Sequence, residues 1–171
     1  MIHDASRALD VESEPPVRIQ ETFDSPRERV FDAWVRRDLL ERWFAPHGCT
    51  LHIARLDART GGGYHWCVRN PAFGDCWTIG SYIEVVRPER IVFTSVIADA
   101  AGQPATPESQ GHDPAWPAET VVHVRFDERG ARTLVTLEQS VSEALAKRTG
   151  AHPSWMEMFD RLSRLVAGGS E

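Results

Sequence analysis

The sequence predicts an α+β domain in which a curved antiparallel sheet wraps around a long C-terminal helix. Three observations carry this. β-type runs separated by short turns fill residues 50 to 142. Two short amphipathic helices interrupt the chain after its first strand-like run. The last segment, "HPSWMEMFDRLSRLVAGG", repeats apolar residues at helical spacing. Strands joined by hairpin-type turns pair antiparallel, and a single terminal helix needs one sheet face to bury its apolar stripe.

In chain order, residues 1–15 are polar and acidic and read as a flexible leader ending at Pro15-Pro16; one domain is expected over 16–168. "VRIQETF" alternates apolar and polar as a first strand, although Glu21 falls on its apolar side. In "DSPRERVFDAWV", Ser25 reads as an N-cap and Pro26 as the first helical residue, with Val30, Phe31, Trp34 and Val35 on one stripe. A break at Arg37-Asp38 leads into a second short helix, "DLLERWF", stopped by Ala45-Pro46. "CTLHIARLDA" is a strand, and the glycine run of "TGGGYHWCVRN" permits a bulge or sharp bend before the next. "NPAFGD" turns into "CWTIGSYIEVV", and "RPER" into "IVFTSVIA".

From Asp99 to Glu119 the chain is rich in Pro, Gly and Ala, with Trp116 as its apolar anchor. Loops of such length act as lids or lack fixed structure. "TVVHVRFDERGARTLVTLEQS" then forms a hairpin turning at "DERGAR". The final helix is expected to start near Pro153 and to present Trp155, Met156, Phe159, Leu162, Leu165 and Val166 on one face, with Gly168-Gly169 after its end.

A chain of 171 residues buries one sizeable core, removing roughly 70% of its unfolded surface from water. Nineteen Lys and Arg against 25 Asp and Glu give a net charge of -6, with arginines scattered among acids, which argues against nucleic acid as a partner. No apolar run is long enough to span a bilayer, so no membrane partner is expected. The first residues carry neither a basic nor an apolar signal region, and a cytoplasmic protein is expected. The three cysteines have no metal-like spacing. Cys67 and Cys76 lie at similar distances from "NPAFGD" and could face one another across the hairpin; in a reducing cytosol two separate thiols are favoured.

"SPRERVFDAWVRRDLLERWFAP", "LDARTGGGYHW", "GSYIEVVRPERIVFTS" and "HPSWMEMFDRLSRL" resemble the bacterial homologues of the activators of the ninety-kilodalton heat-shock ATPase, in the START-like SRPBCC superfamily, the helix-grip fold. The resemblance runs from about Val17 to Val166. It implies a sheet gripping the C-terminal helix, an elongated apolar cavity between them, the short helix pair closing one end, and a stress-related role. The superfamily hosts carriers, cyclases, hydratases and cochaperones on one scaffold, so fold alone does not choose among them. This sequence departs from its relatives in the 99–119 segment and at His152-Pro153-Ser154, where many carry Gly directly before the helix Trp.

Six Trp in a chain of this size stand out. Trp43 and Phe44, at the exit of the second helix, read either as sheet-capping core or as the wall of a ligand cavity. The other expected lining residues are Trp66, Trp77, Tyr82, Phe93, Trp155 and Phe159, each equally readable as core. Strand parity puts Tyr64 and Trp66 on one face and His65 and Cys67 on the other. His65 and His123 sit mid-strand, where a neutral imidazole can bond a ligand or act as a base. His112-Asp113 could join them when the loop closes. No metal pattern, nucleophile elbow or cofactor motif is present, and "GGG" precedes a strand rather than a helix, so it is no phosphate cradle. Asp57, Glu84, Glu89, Arg59, Arg87 and Arg90 are expected in surface ion pairs.

Three functions follow from these observations. A carrier or sensor binding a small apolar or aromatic molecule fits the Trp-rich stripes and the missing catalytic constellation. A cyclase- or dehydratase-type enzyme would use His65 or His123 with Tyr82. A cochaperone-like module contacting a heat-shock ATPase has the weakest support, and exposed edge strands leave a homodimer open.

Overall fold

The computed structural model describes residues 14–168. All but the end of the expected leader, and Gly169, lie outside these residues. The strands are β1 (Pro16–Phe23), β2 (Thr50–Leu56), β3 (Gly63–Asn70), β4 (Gly74–Val86), β5 (Arg90–Ala98), β6 (Glu119–Arg129) and β7 (Arg132–Ser142). The helices are α1 (Arg27–Val35), α2 (Arg37–Trp43), α3 (Glu143–Thr149) and α4 (Ala151–Ala167). The seven strands form one antiparallel sheet in the order β1-β7-β6-β5-β4-β3-β2, as the α+β reading expects. Its inner face grips α4, and the α1–α2 pair packs beside that helix.

Burial alternates along β6 and β7, so Val122, Val124, Phe126, Val135 and Leu137 point to the helix while Arg125 and Glu138 point to water. On β1, Glu21 does point inward and is half-buried. Bulges interrupt pairing at Ile53/Arg55 and Tyr82/Glu84, the latter leaving Ile83 exposed.

Several helix boundaries differ from expectation. Pro26, not Ser25, is the cap residue of α1, and no side chain caps it. Ser25 instead has a buried hydroxyl with no partner, while its carbonyl accepts from the Thr133 hydroxyl at 2.8 Å. The chain breaks at Arg36, one residue before the expected break. The C-terminal segment holds two helices, because Gly150 takes φ 89° and ends α3. The long helix therefore begins at Ala151, and Pro153 sits within its first turn, where a missing N–H costs nothing. Its buried stripe is Trp155, Met158, Phe159, Leu162 and Val166; Met156, expected on this face, is 46% exposed, and Met158 takes its place one turn after Trp155.

Segment 99–118 is folded. Its start returns along β5 through Ala105 N–H donating to the Ile97 carbonyl, and its middle is a short 3-10 turn over Glu108–Gln110. Trp116 packs against the core, as its isolation in the sequence suggested.

Candidate functional site

Between sheet and α4 the apolar side chains form a continuous nest of rings. Phe44 stands at its middle: its ring centroid lies 5.0 Å from Trp66, 5.2 Å from Trp43, 5.7 Å from Trp155 and 6.2 Å from Trp34. From Trp66 the chain continues to Tyr64, stacked at 3.7 Å, and then to Tyr82 and Phe93. From Trp155 it continues to Phe159. Of the residues expected to line a cavity, Trp43, Phe44, Trp66, Tyr82, Phe93, Trp155 and Phe159 thus share one interior, and all are buried. The rings meet one another edge to face or stacked.

Polar atoms inside the nest are mostly paired. The Trp43 indole donates to the Ala33 carbonyl at 2.8 Å, and Trp155 donates to Gln139 Oε1 at 2.9 Å while the Gln139 amide donates to Thr120 at 3.1 Å. Tyr64 donates to the Thr94 carbonyl at 2.7 Å. Burial pushes both tyrosine hydroxyls, Tyr64 and Tyr82, well above their ordinary range, so both stay neutral. Trp34 is the exception: its indole N–H is fully buried with no partner.

This ring nest, gripped between a seven-stranded sheet and α4, coincides with a known family. A family model described as "Activator of Hsp90 ATPase homolog 1-like protein" matches residues 24–167. The chain belongs to that family. An NMR structure from Staphylococcus epidermidis is 23% identical, with a TM-score of 0.75 and 93% of each chain covered. A second NMR structure, from Arthrobacter aurescens, is 18% identical with a TM-score of 0.77, covering 95% of this chain and 91% of that one. A crystal structure of an AHSA1 protein from Silicibacter pomeroyi is 19% identical with a TM-score of 0.66, covering 88% and 96%. These likenesses show the fold. No curated protein matches.

In this member of the Hsp90-activator-like family, segment 99–118 joins the rest of the fold through Trp116 against the core, the Ala105 N–H on the Ile97 carbonyl, and side-chain contacts. His112 Nε2 lies 3.5 Å from Cys76 Sγ, and Asp113 pairs with Arg148 of α3 at 3.3 Å. Burial pushes the Cys76 thiol up to about 11, aided by the neighbouring Cys67, and holds the His112 imidazole below its ordinary value. His112 and Asp113 therefore bind a strand thiol and a helix arginine, not the strand histidines. Cys67 pairs in register with Trp77 and Cys76 with Val68, so the two thiols point to opposite faces, and all three cysteines are free.

Two expected lining residues stand elsewhere. Trp77, opposite Cys67, lies on the outer face of the sheet, where its ring meets His65 at 4.8 Å and His52 at 5.9 Å. His123 is exposed on the outer face of β6. His65 is also on the outer face, its Nε2 3.2 Å from the Asp99 carbonyl. Tyr82 faces inward, so neither histidine forms an acid–base pair with it. An open hollow of about 470 Å³ lies on this outer side, between Arg55, His65, Ile79, Val96, Gly102 and Glu119. Among the described residues no three His, Cys, Asp or Glu converge on a metal site, and no helix is long and apolar enough to cross a membrane. The expected ion pairs form: Arg59 with Asp57, Arg90 with Glu84 and Glu89, and Arg87 with Asp32 of α1.

Sequence reasoning placed Trp34 in a packing stripe and did not single it out. Its five ring neighbours come from α2 and the residue after it, from β6 and from α4, so no local pattern marks it.

Proposed function

We propose that this chain binds a small apolar or aromatic molecule between the sheet and α4, acting as a carrier or sensor. The observation that carries this reading is the Phe44–Trp66–Trp155 ring cluster between the sheet and α4. The ring nest supplies flat apolar contact, and segment 99–118, whose Trp116 packs against the same core, is held to α3 and β4 by an exposed ion pair and a thiol–imidazole contact, ties that contribute little and break readily. Lifting it lets a guest exchange ring–ring for ring–guest contacts at small net cost. The outward-facing histidines, separated from Tyr82 by the sheet, favour binding over acid–base chemistry. Three free thiols support a reducing, cytoplasmic setting.

Native mass spectrometry of freshly purified protein, beside its denatured mass, tests the reading together with titration of delipidated protein with 2-acetonaphthone. A bound small molecule, or saturable quenching of tryptophan fluorescence that Trp66→Ala weakens, is the expected result. No saturable binding would refute it.

A further inference from the structure

We infer that the molecule held in the ring nest carries a neutral hydrogen-bond acceptor, a carbonyl or ether oxygen on an apolar body, and that the Trp34 indole N–H is the donor it meets. The inference rests on the ligand-binding reading above and narrows it to a chemical class.

Trp34 is 3% exposed, and its Nε1 has no hydrogen-bond partner. The ring is surrounded by Trp43 at 4.7 Å, Phe44, Phe126 and Phe159 at 6.2 Å, and Trp155 at 6.3 Å. None of these side chains offers an oxygen. A buried N–H left in this way lowers stability, and native interiors rarely keep one without a reason. The neighbouring indoles show that the fold can satisfy such donors: Trp43 has the Ala33 carbonyl and Trp155 has Gln139.

The pairing elsewhere decides the guest's chemistry. Gln139 accepts from Trp155 and donates to Thr120, and Tyr64 donates to the Thr94 carbonyl, so these groups already have partners. One neutral donor waits. A guest with a donor but no acceptor would bury a second unpaired group, and an ionised guest would need more than one neutral N–H to offset its lost hydration. Phe44 and Trp155 touch Trp34 and each other, so a guest that parts them reaches the Trp34 ring.

Two probes of matched shape separate the alternatives: 2-acetonaphthone, which has a ketone oxygen, and 2-isopropenylnaphthalene, in which a methylene replaces it. Each is titrated into the full chain by tryptophan fluorescence, while the Trp34 indole N–H resonance, assigned with a Trp34→Phe variant, is followed by NMR. The ketone is expected to bind about tenfold tighter, the usual worth of satisfying one buried donor, and to move the Trp34 indole proton downfield. In folded Trp34→Phe the two probes are expected to bind equally. Equal affinities in the wild-type chain, or an unmoved Trp34 proton, would overturn the inference and leave the ring nest as an indifferent apolar site with that N–H resting on a neighbouring ring face. Failure of both probes to bind would overturn the ligand-binding reading itself and the inference with it. The affinity outcomes are read from the wild-type chain alone, so they hold even if the Phe variant does not fold.

Discussion

The Trp43 indole donates to the Ala33 carbonyl at 2.8 Å, tying the end of α2 to the last turn of α1. Carbonyls in a helix's last turn have no helical partner, so this bond satisfies a buried acceptor as well as the indole. Trp43 is completely buried, whereas its neighbour Phe44 bridges Trp66 and Trp155. The adjacent pair thus divides its work: Trp43 ties two helices together, and Phe44 joins a ring of the sheet to one of α4. A Trp43→Phe variant is expected to lose about 1–3 kcal/mol for the unpaired carbonyl, with a further loss for the vacated volume. Urea unfolding measures it, and a wild-type midpoint would contradict the assignment.

Tyr64 of β3 reaches across β4 to donate to the Thr94 carbonyl of β5, and its ring lies over Gly80, its direct partner in register. A Cβ at Gly80 would collide with that ring and with the Thr94 carbonyl. Gly80→Ala is therefore expected to destabilise the fold by about 1–3 kcal/mol, as overpacking does. The same variant should weaken the near-ultraviolet circular dichroism of the stacked Tyr64–Trp66 pair. An unchanged melting temperature would show that the ring has room to move aside.

The sheet and the helix pair were legible because period-2 and period-3.6 patterns are local signals. Lone Trp116 in a polar loop also announced its anchoring role. Trp77 was not legible: its face depends on its partner Cys67 in register, and parity within its own strand cannot say which face meets α4. Met158 stands three residues after Trp155 and four before Leu162, on the buried stripe, whereas Met156 follows Trp155 directly and turns away from it, so the spacing itself favoured Met158. His123 reads the same mid-strand whether it faces the core or water, and only the alternation of Val122 and Val124 around it decides.

Glu21 is a carboxylate on the inner side of β1, and burial first, then the charge of Asp160, raises its pKa. The folded chain therefore holds the Glu21 proton to a higher pH than the unfolded chain does. Stability falls as pH rises through that window, and at neutral pH the ionised carboxylate is a cost. Glu21→Gln is expected to raise the melting temperature at pH 7, with the advantage shrinking as pH falls through that window and gone below about pH 4, where both chains bind the proton. A variant less stable than wild type at pH 7 would show that Glu21 makes a favourable contact as an anion.

On the proposed reading segment 99–118 is a lid, and His112 couples it to pH. Burial against β4 depresses its pKa, and Cys76, its contact at 3.5 Å, remains a neutral thiol because burial raises that group's pKa to about 11. The charged groups beside it, Asp113 and Arg148, are paired with each other. The closed lid binds fewer protons than an open one, so closure is fully favoured above the ordinary histidine value of 6.5 and weakens as pH falls through it. Amide exchange over residues 107–118, corrected for intrinsic chemistry, should accelerate between pH 7.5 and 5.5, while β6 and β7 stay protected. In His112→Gln the acceleration should vanish. If it persists, a group other than His112 governs how the lid responds to acid.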